Sequence, residues 1–559
     1  LTVSALQPAR NSNAVARTAP IKVELSQPVA SGTVRVQSLL RGGQLAGPVT
    51  RAGKILTFTP AQAYQPGERL LVTVPAGAQS TTGSGLANPH VYQLTTQVTP
   101  STGLFARSSS VLVGPAGSTA LPYAERVMTA DIDGDGDQDM LVTNYTTGPG
   151  RVSVRLNDGT GAFAGGTELA VGNYPGILLL ADLDNDGDLD LLVGRSAAAD
   201  ISVLLNAGNG TFGPGQNTST NGIATLQLGD VDGDADLDLL VSRSNQTASV
   251  YLNNGAGSFS AGATVAGGTK MQAVGDLDND GALDLLTDDP NAPGWGLLLR
   301  RGNGDGTFAA TATAVALNSA SSPLFGIDLA DCDADGDLDL LLTTNLGLYA
   351  MRNTSTVGSL ALSPEQLLAG SAGMRVASVA DVEGDGDLDV ITTNSQNSVG
   401  CYRNNGAGVF ALGAGLASGS SLTALTTADV DGDGDLDLLT IGSLDRRASV
   451  WLNLNATPSQ TVTARQPRRN ALQAAPGGAV VVQFSQPLSA TAAPMKGLSV
   501  ARSQSRSAAL PTAAVASGYE LRATLANSFA PGEKVQVSLA RVLAGGAAVL
   551  PAPQVYEFT

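Results

Sequence analysis

DLDNDGDLDLLV, Asp182 to Val193, is an acidic nine-residue loop that runs without a break into an apolar strand. The chain carries seven such loops. The others read DIDGDGDQD (Asp131 to Asp139), DVDGDADLD (Asp230 to Asp238), DLDNDGALD (Asp276 to Asp284), DCDADGDLD (Asp331 to Asp339), DVEGDGDLD (Asp381 to Asp389) and DVDGDGDLD (Asp429 to Asp437). Successive loops start 51, 48, 46, 55, 50 and 48 residues apart. A steady period of that length with several strands per unit is the pattern of a propeller blade.

Each unit repeats more than its loop. A short apolar strand precedes it, as in LLLAD ending at Asp182, and a second follows, as in LDLLV ending at Val193. A third reads SVRLN from Ser153, SVLLN from Ser202, SVYLN from Ser249 and SVWLN from Ser449. Then comes a Gly/Asn turn and a Phe, in NDGTGAF, NAGNGTF, NNGAGSF and, from Asn404 to Phe410, NNGAGVF. That is a hairpin signal leading into a fourth strand. Four strands in each of seven units predict an all-β chain with a seven-bladed β-propeller. A Phe-led strand at Phe105 precedes any SVxLN strand, and the last SVxLN strand, at Ser449, has no Phe-led partner. Pairing these two orphans closes the ring and removes its exposed edges. The fifth unit is irregular from Met351 to Leu362, where the turn and its Phe are degraded.

Calcium takes about six to eight hard oxygen ligands. Carboxylates at positions 1, 3, 5 and 9, with the main-chain carbonyl of position 7, let such a loop curl around one ion, and Gly at position 6 permits the sharp turn. The expected ligands are Asp131, Asp133, Asp135 and Asp139 with the carbonyl of Asp137, then Asp182, Asp184, Asp186 and Asp190 with Asp188. The third and fourth sets are Asp230, Asp232, Asp234 and Asp238 with Asp236, and Asp276, Asp278, Asp280 and Asp284 with Ala282. The fifth is Asp331, Asp333, Asp335 and Asp339 with Asp337, and the sixth Asp381, Glu383, Asp385 and Asp389 with Asp387. The seventh is Asp429, Asp431, Asp433 and Asp437 with Asp435. Two copies depart from the pattern: Ala235 replaces the position-6 Gly, and Glu383 is a longer arm at position 3. Both are expected to bind, the third loop most weakly. An EF-hand is excluded because position 12 is Val142, Val193, Val241, Thr287, Leu342, Thr392 or Thr440, not Glu. One structural calcium per blade, fastening the first two strands, is the expectation.

The loop, the apolar strand after it and the NxGxGxF turn resemble the FG-GAP/VCBS repeats of bacterial surface proteins and the integrin α-subunit head, from about Phe105 to Asn455. The resemblance implies a seven-bladed wheel with calcium in its blade loops and an extracellular, secreted or cell-surface home. It implies no single function.

The two ends of the chain repeat each other. KVELSQPV (Lys22 to Val29) matches VVQFSQPL (Val481 to Leu488), AYQPGERLLVTV (Ala63 to Val74) matches SFAPGEKVQVSL (Ser528 to Leu539), and VYQLT (Val91 to Thr95) matches VYEFT (Val555 to Thr559). Each copy is the size of an immunoglobulin-like sandwich and resembles bacterial Ig-like domains, without the Cys–Trp–Cys hallmark of antibody domains. The expected domains are therefore residues 1–98, 105–455 and 460–559. SQP reads as the end or bend of an edge strand, and PGE as a turn.

The formal net charge of −18 conceals two populations, because 34 of the 49 acidic residues lie in the seven loops. The other 15 face 31 Lys and Arg, so the acidity points to bound cations and not to a solvated acidic face. No basic cluster argues for nucleic acid. Cys332 and Cys401 read as buried free thiols. No apolar run is long enough to span a membrane. Leu1 follows neither an initiator Met nor a signal-like segment, which reads as a processed or truncated piece of a larger protein.

Catalysis finds little support. The single histidine, His90, lies in the first sandwich, and neither HExxH nor GxSxG occurs. Few propeller acids lie outside the loops: Glu125, Asp158, Glu168, Asp200, Asp288, Asp289, Asp305, Asp328, Glu365 and Asp445. No catalytic residue is assigned. The expected ligand face lies opposite the Asp-rich loops, with Tyr123, Glu125, Arg126, Tyr174, Lys270, Phe325 and Arg375 before the inner strands. Tyr145, Arg195, Arg243, Trp295 and Arg446 join them from second-to-third strand loops. The leading expectation is an adhesion or ligand-binding protein recognising a protein or carbohydrate. A structural component of a surface layer or filament, self-associating through the terminal sandwiches, is the alternative, and a polysaccharide lyase or hydrolase the third.

Overall fold

The structure is a computed structural model. It describes residues 1–454 except 39, 41–42, 114–122, 146–148, 196–199, 244, 267–270, 290–291, 293–295, 316, 318–323, 371–375, 394–397, 414, 418–421 and 443–446. Beyond residue 454 it describes strand backbones only.

The second strand of each repeat, such as Asp190–Arg195 (DLLVGR), is apolar without alternation because both its faces are covered. It pairs with the first strand, Pro175–Ala181, and the third, Asp200–Leu204, and Gln216–Ser219 completes the sheet. Seven such antiparallel sheets follow one another among the described residues. Between each neighbouring pair lies an apolar core, as where Leu141 and Val154 of the first blade meet Leu178 and Leu191 of the second. The others join the second to the third, third to fourth, fourth to fifth, fifth to sixth and sixth to seventh blades. A last one, with Val142 against Leu439 and Ile441, joins the seventh blade to the first. The ring is closed, and the chain is all-β with no helix among the described residues.

Ring closure uses the two orphan strands. Phe105–Leu112 pairs antiparallel with Arg447–Asn453, with Phe105 opposite Asn453 and Leu112 opposite Arg447. The fourth strands differ from expectation. The Phe forms only a short pairing in most blades, as Phe212 with Asn206, and the main outer strand starts later. In the first blade the left-handed Gly165 and Gly166 separate Phe163–Ala164 from Glu168–Asn173. Besides the closing strand Phe105–Leu112, only the third blade runs unbroken from its Phe among the described residues, through Phe259–Ala266.

Ahead of the ring, the sheet of Val3–Gln7, Ile21–Leu25, Ile55–Phe58 and Val49–Ala52 faces that of His90–Thr95, Arg69–Val74, Arg35–Ser38 and Gly43–Gln44. Val23, Leu56, Tyr64, Val72 and Leu94 fill the space between. After the ring, Val462–Gln466, Val480–Phe484, Glu520–Thr524 and Ala513–Ser517 repeat the first order, and Gln554–Phe558, Val535–Leu539 and Leu498–Arg502 the second. SQP does not end an edge strand. Ile21–Leu25 lies inside its sheet, and the chain then crosses to Val29–Ser31, which pairs with Gln79–Ser80. Cys332 and Cys401 are free and buried. No helix of the described residues is long and apolar enough to cross a membrane.

Candidate metal centres in the blade loops

The register places position 9 at the start of each second strand, opposite the last residue of the first, as Ala181 faces Asp190. Its carboxylate latches the loop. Asp190 Oδ2 accepts from the Leu183 N–H at 2.9 Å, and Oδ1 from the Asn206 N–H at 2.8 Å. The same two bonds recur in the other six blades, at 2.8 to 3.1 Å. Position 5 accepts the N–H of position 7 in every loop, at 2.8 to 3.1 Å. The position-1 carboxylate accepts the position-6 N–H, as Gly187 to Asp182 at 3.2 Å.

These bonds fold the carboxylates inward. Asp131, Asp133 and Asp139 bring oxygens within 4.8 Å of one another, as do Asp182, Asp184 and Asp190, then Asp276, Asp278 and Asp284, and Asp331, Asp333 and Asp339. The third loop gathers Asp230, Asp232 and Asp234. Oδ1 of Asp182, Asp184, Asp276, Asp278 and Asp333 is buried with no hydrogen-bond donor. Buried anionic oxygens without donors are costly unless a cation meets them. Two position-7 side chains turn to a neighbouring blade, Asp236 to Asn185 Nδ2 at 2.7 Å and Asp337 to Asn279 Nδ2 at 2.5 Å, which leaves their carbonyls for the loop. Asp435 instead stays buried beside Asp433 of its own loop. This oxygen-only donor set fits calcium.

Ala235 adopts φ +75°, a left-handed conformation near that of the position-6 glycines, which span +90° to +99°. Ala235→Gly is expected to stabilise the protein by about 0.5–1 kcal/mol, read from the denaturant midpoint. Position 4 is left-handed as well, at Asn185, Asn279 and Ala334. The recurring Gly or Asn there was the overlooked signal.

Burial, reinforced by neighbouring carboxylates, pushes Asp139 up to about 9 and Asp238 to about 8. Asp389 likewise rises to about 8 and Asp190 to about 7. Unfolded carboxyls titrate near 3.9, so from about pH 4 to 8 the metal-free native chain holds more protons than the unfolded one. Its stability therefore falls as pH rises through that window. Melting of the chelated protein is expected to be lower at pH 8 than at pH 5.5, and saturating calcium should remove the difference.

The third-strand Asn is a residue whose role sequence reading missed. Asn206 Nδ2 donates to Leu189 O in its own blade at 3.1 Å and to Ile132 O in the preceding blade at 2.8 Å. Asn253, Asn353, Asn404 and Asn453 do the same, and Asn157 reaches Val430 O at 2.8 Å across the closure. These side chains staple each loop to the next blade. The fourth blade has Gly302 instead and keeps a backbone bond, Gly306 N to Val231 O at 3.0 Å. The irregular fifth unit still makes its version, Gly358 N to Asp278 O at 2.8 Å.

The N-terminal sandwich sits on this end of the ring. Thr73 Oγ1 donates to Asp230 Oδ2 at 2.7 Å, the Gln44 N–H to Asp182 Oδ2 at 3.4 Å, and Arg10 to Asp276 Oδ2 at 3.3 Å. Asp131 N donates to Leu40 O at 3.0 Å, Asn13 Nδ2 to Asp331 O at 2.7 Å, Ser101 N to Glu383 O at 2.9 Å and Thr99 N to Gly434 O at 2.8 Å. All seven loops are touched, the sixth and seventh in these bonds by Ser101 and Thr99 of the segment that leads from the sandwich into the ring. His90 is buried against Gly281, and Gly67 of the PGE turn lies against Leu436.

At the opposite end, register pairs Tyr123 with Tyr145, Pro175 with Arg195 and Leu324 with Thr344. Phe325 and Arg126 are exposed there, and Tyr174 is half-buried. Arg195 is engaged within its blade by Asp200, at 2.6 and 2.8 Å, and Arg243 by Ser249 at 2.6 Å and Tyr251 at 3.0 Å. Tyr123, Glu125 and Tyr145 are placed by backbone only. Lys270, Trp295, Arg375 and Arg446 lie outside the described residues.

A bacterial Ig-like domain model matches residues 1–96. An FG-GAP-like repeat model matches residues 131–193, 182–241, 230–287, 331–392 and 381–440, each running from one loop to the second strand of the next blade. No curated protein matches. Solved structures with a similar course include an Agrocybe aegerita lectin recognising non-reducing terminal N-acetylglucosamine, at 17% identity and TM-score 0.43, covering 76% of this chain and 98% of that one. BBS1N in complex with ARL6DN gives 15% and 0.44, covering 63% and 97%. The WD40 β-propeller domain of Doa1 gives 12% and 0.41, covering 62% and 97%. The chain thus carries a bacterial Ig-like domain at its N-terminus, followed by a ring that contains five FG-GAP-like repeats.

Proposed function

We propose that the protein works outside the cell as a calcium-stabilised adhesion or ligand-binding module, holding about one calcium per blade loop. The observation that carries this reading is the set of buried carboxylate oxygens without donors at positions 1 and 3 of the second and fourth loops and at position 3 of the fifth. Asp131, Asp182, Asp230, Asp276, Asp331, Asp381 and Asp429 lead the ligand sets, with positions 3, 5 and 9 and the carbonyl of position 7 completing each. Ions held this way tie two strands together and neutralise the loops, and affinities suited to millimolar calcium belong to extracellular modules.

The sandwich covers the loop end, so recognition falls to the opposite end, around Arg126, Tyr174 and Phe325. A protein or carbohydrate is the partner class such aromatics and arginine serve. No catalytic role is assigned: His90 is buried at the domain contact, and Glu168 and Asp200 are held by Arg155 and Arg195, each at 2.6 Å. The test is a glycan and protein binding screen in calcium, repeated with Phe325→Ala and Arg126→Ala. Binding lost in both variants with an unchanged melt supports the reading. Binding that survives both moves the site elsewhere, and product formation on a glycan would replace binding with catalysis.

A further inference from the structure

The residue just before each staple asparagine, or before Gly302 in the fourth blade, occupies one recurring slot. It lies between the position-3 carboxylate of its own loop and the hairpin glycine of the next blade. In four blades it is a leucine: Leu156 lies against Gly210, Leu205 against Gly257, Leu252 against Gly306 and Leu452 against Gly161. The position-3 residues Asp133, Asp184, Asp232 and Asp431 approach the same glycines. In the other three blades the slot holds an arginine that pairs with position 3. Arg301 Nε lies 3.1 Å from Asp278 Oδ2, Arg352 Nη1 3.2 Å from Asp333 Oδ2, and Arg403 Nε 2.8 Å from Glu383 Oε2. Each arginine also reaches forward, Arg301 donating to Gly358 O at 2.7 Å, Arg352 to Ala407 O and Arg403 to Thr102 O.

We propose that the loops form two classes of calcium site, strong in the contiguous blades with leucine in the slot and weak in the contiguous blades where arginine already neutralises position 3. The inference rests on the calcium reading above. A guanidinium about 3 Å from a ligand carboxylate satisfies part of the charge that draws the ion, and it repels the ion directly. The fourth blade carries a second cation, because Arg10 Nη1 also bonds Asn279 Oδ1 at 3.1 Å beside Asp276. Its site fills last, in place of the third loop's, which Ala235 marked as the weakest from sequence alone. The ring therefore has one sector, the seventh, first, second and third blades, whose loops depend on calcium. The other, the fourth to sixth blades, is held by its own arginines when calcium is scarce.

The test is equilibrium dialysis of the full chain against graded free calcium, with bound metal counted by elemental analysis. Four ions per chain are expected to bind before the remaining three, which need about tenfold more calcium. In R301L/R352L/R403L, each change copying the leucine of the other blades, the two steps should merge. Leu205→Arg should move the first plateau from four ions to three, and it keeps the test alive if the triple variant does not fold. Seven ions binding to the wild type in one step, or a plateau unmoved by either variant, overturns the two classes while leaving the calcium reading intact. A chain that binds no calcium overturns both.

Discussion

Stripping divalent cations from the folded protein is expected to lower its unfolding midpoint by at least about 10 °C. A site saturated at one hundred times its dissociation constant contributes about 2.7 kcal/mol, so even four such sites would add about 11 kcal/mol. That matches the whole stability of an ordinary domain. The loss should be large because ions held there would do two things. They would neutralise carboxylates that burial has raised to about 7 to 9, and they would meet oxygens that no donor reaches. Magnesium should restore little, since it favours a tight octahedral shell and keeps its waters. The measurement is a thermal melt in chelator with each metal returned separately. An unchanged melt would mean that the loops are held by their own hydrogen bonds, and the extracellular reading would lose its support.

The second large effect is expected at position 9. Asp190→Ala removes the acceptor of two N–H groups, those of Leu183 and Asn206. Each buried group left without a partner costs about 1–3 kcal/mol, so a loss of about 3–5 kcal/mol in calcium is expected. In chelator the loss should shrink, because deleting a carboxyl that burial already opposes relieves part of the strain on the metal-free loop. Asp190→Asn should fall between, since its carboxamide accepts one N–H and turns an amino group toward the other. Denaturant unfolding of both variants with and without calcium checks this. Equal losses in the two conditions would make Asp190 a latch and not a ligand.

Much of the architecture was legible because its signals are local. An acidic loop, an apolar run and an Asn/Gly hairpin each state their geometry within a dozen residues. Spacing then supplied the repeat, and the strands at Phe105 and Ser449 supplied the closure. What escaped depends on neighbours in space. Asn206 was visible only as the end of SVLLN; its bond to Ile132 lies 74 residues away in sequence. The alternation of Leu205 and Arg352 before that asparagine was equally visible, but its meaning needs the position-3 carboxylate beside it. Docking of the sandwich left no periodic trace, because Arg10, Gln44 and Thr73 are single polar residues on otherwise ordinary strands and turns. The displaced outer strands reflect left-handed glycines such as Gly165 and Gly166, which break the run after the Phe.

The closing pair also decides how the molecule bears a pull. Phe105 begins one strand and Asn453 ends the other, and they stand opposite each other in register. The chain therefore enters and leaves the ring at the same end of one antiparallel seam. Tension between the two flanking units would open that seam like a zipper, one bond at a time, instead of shearing all its bonds together. The first links in its path are Thr102 N to Leu454 O at 3.0 Å and Leu454 N to Leu104 O at 2.8 Å, with Asn453 tied to Ser101 at 2.9 Å. The sandwich's grip on the loops lies ahead of them, so a tethered molecule would yield in stages, undocking before the ring opens.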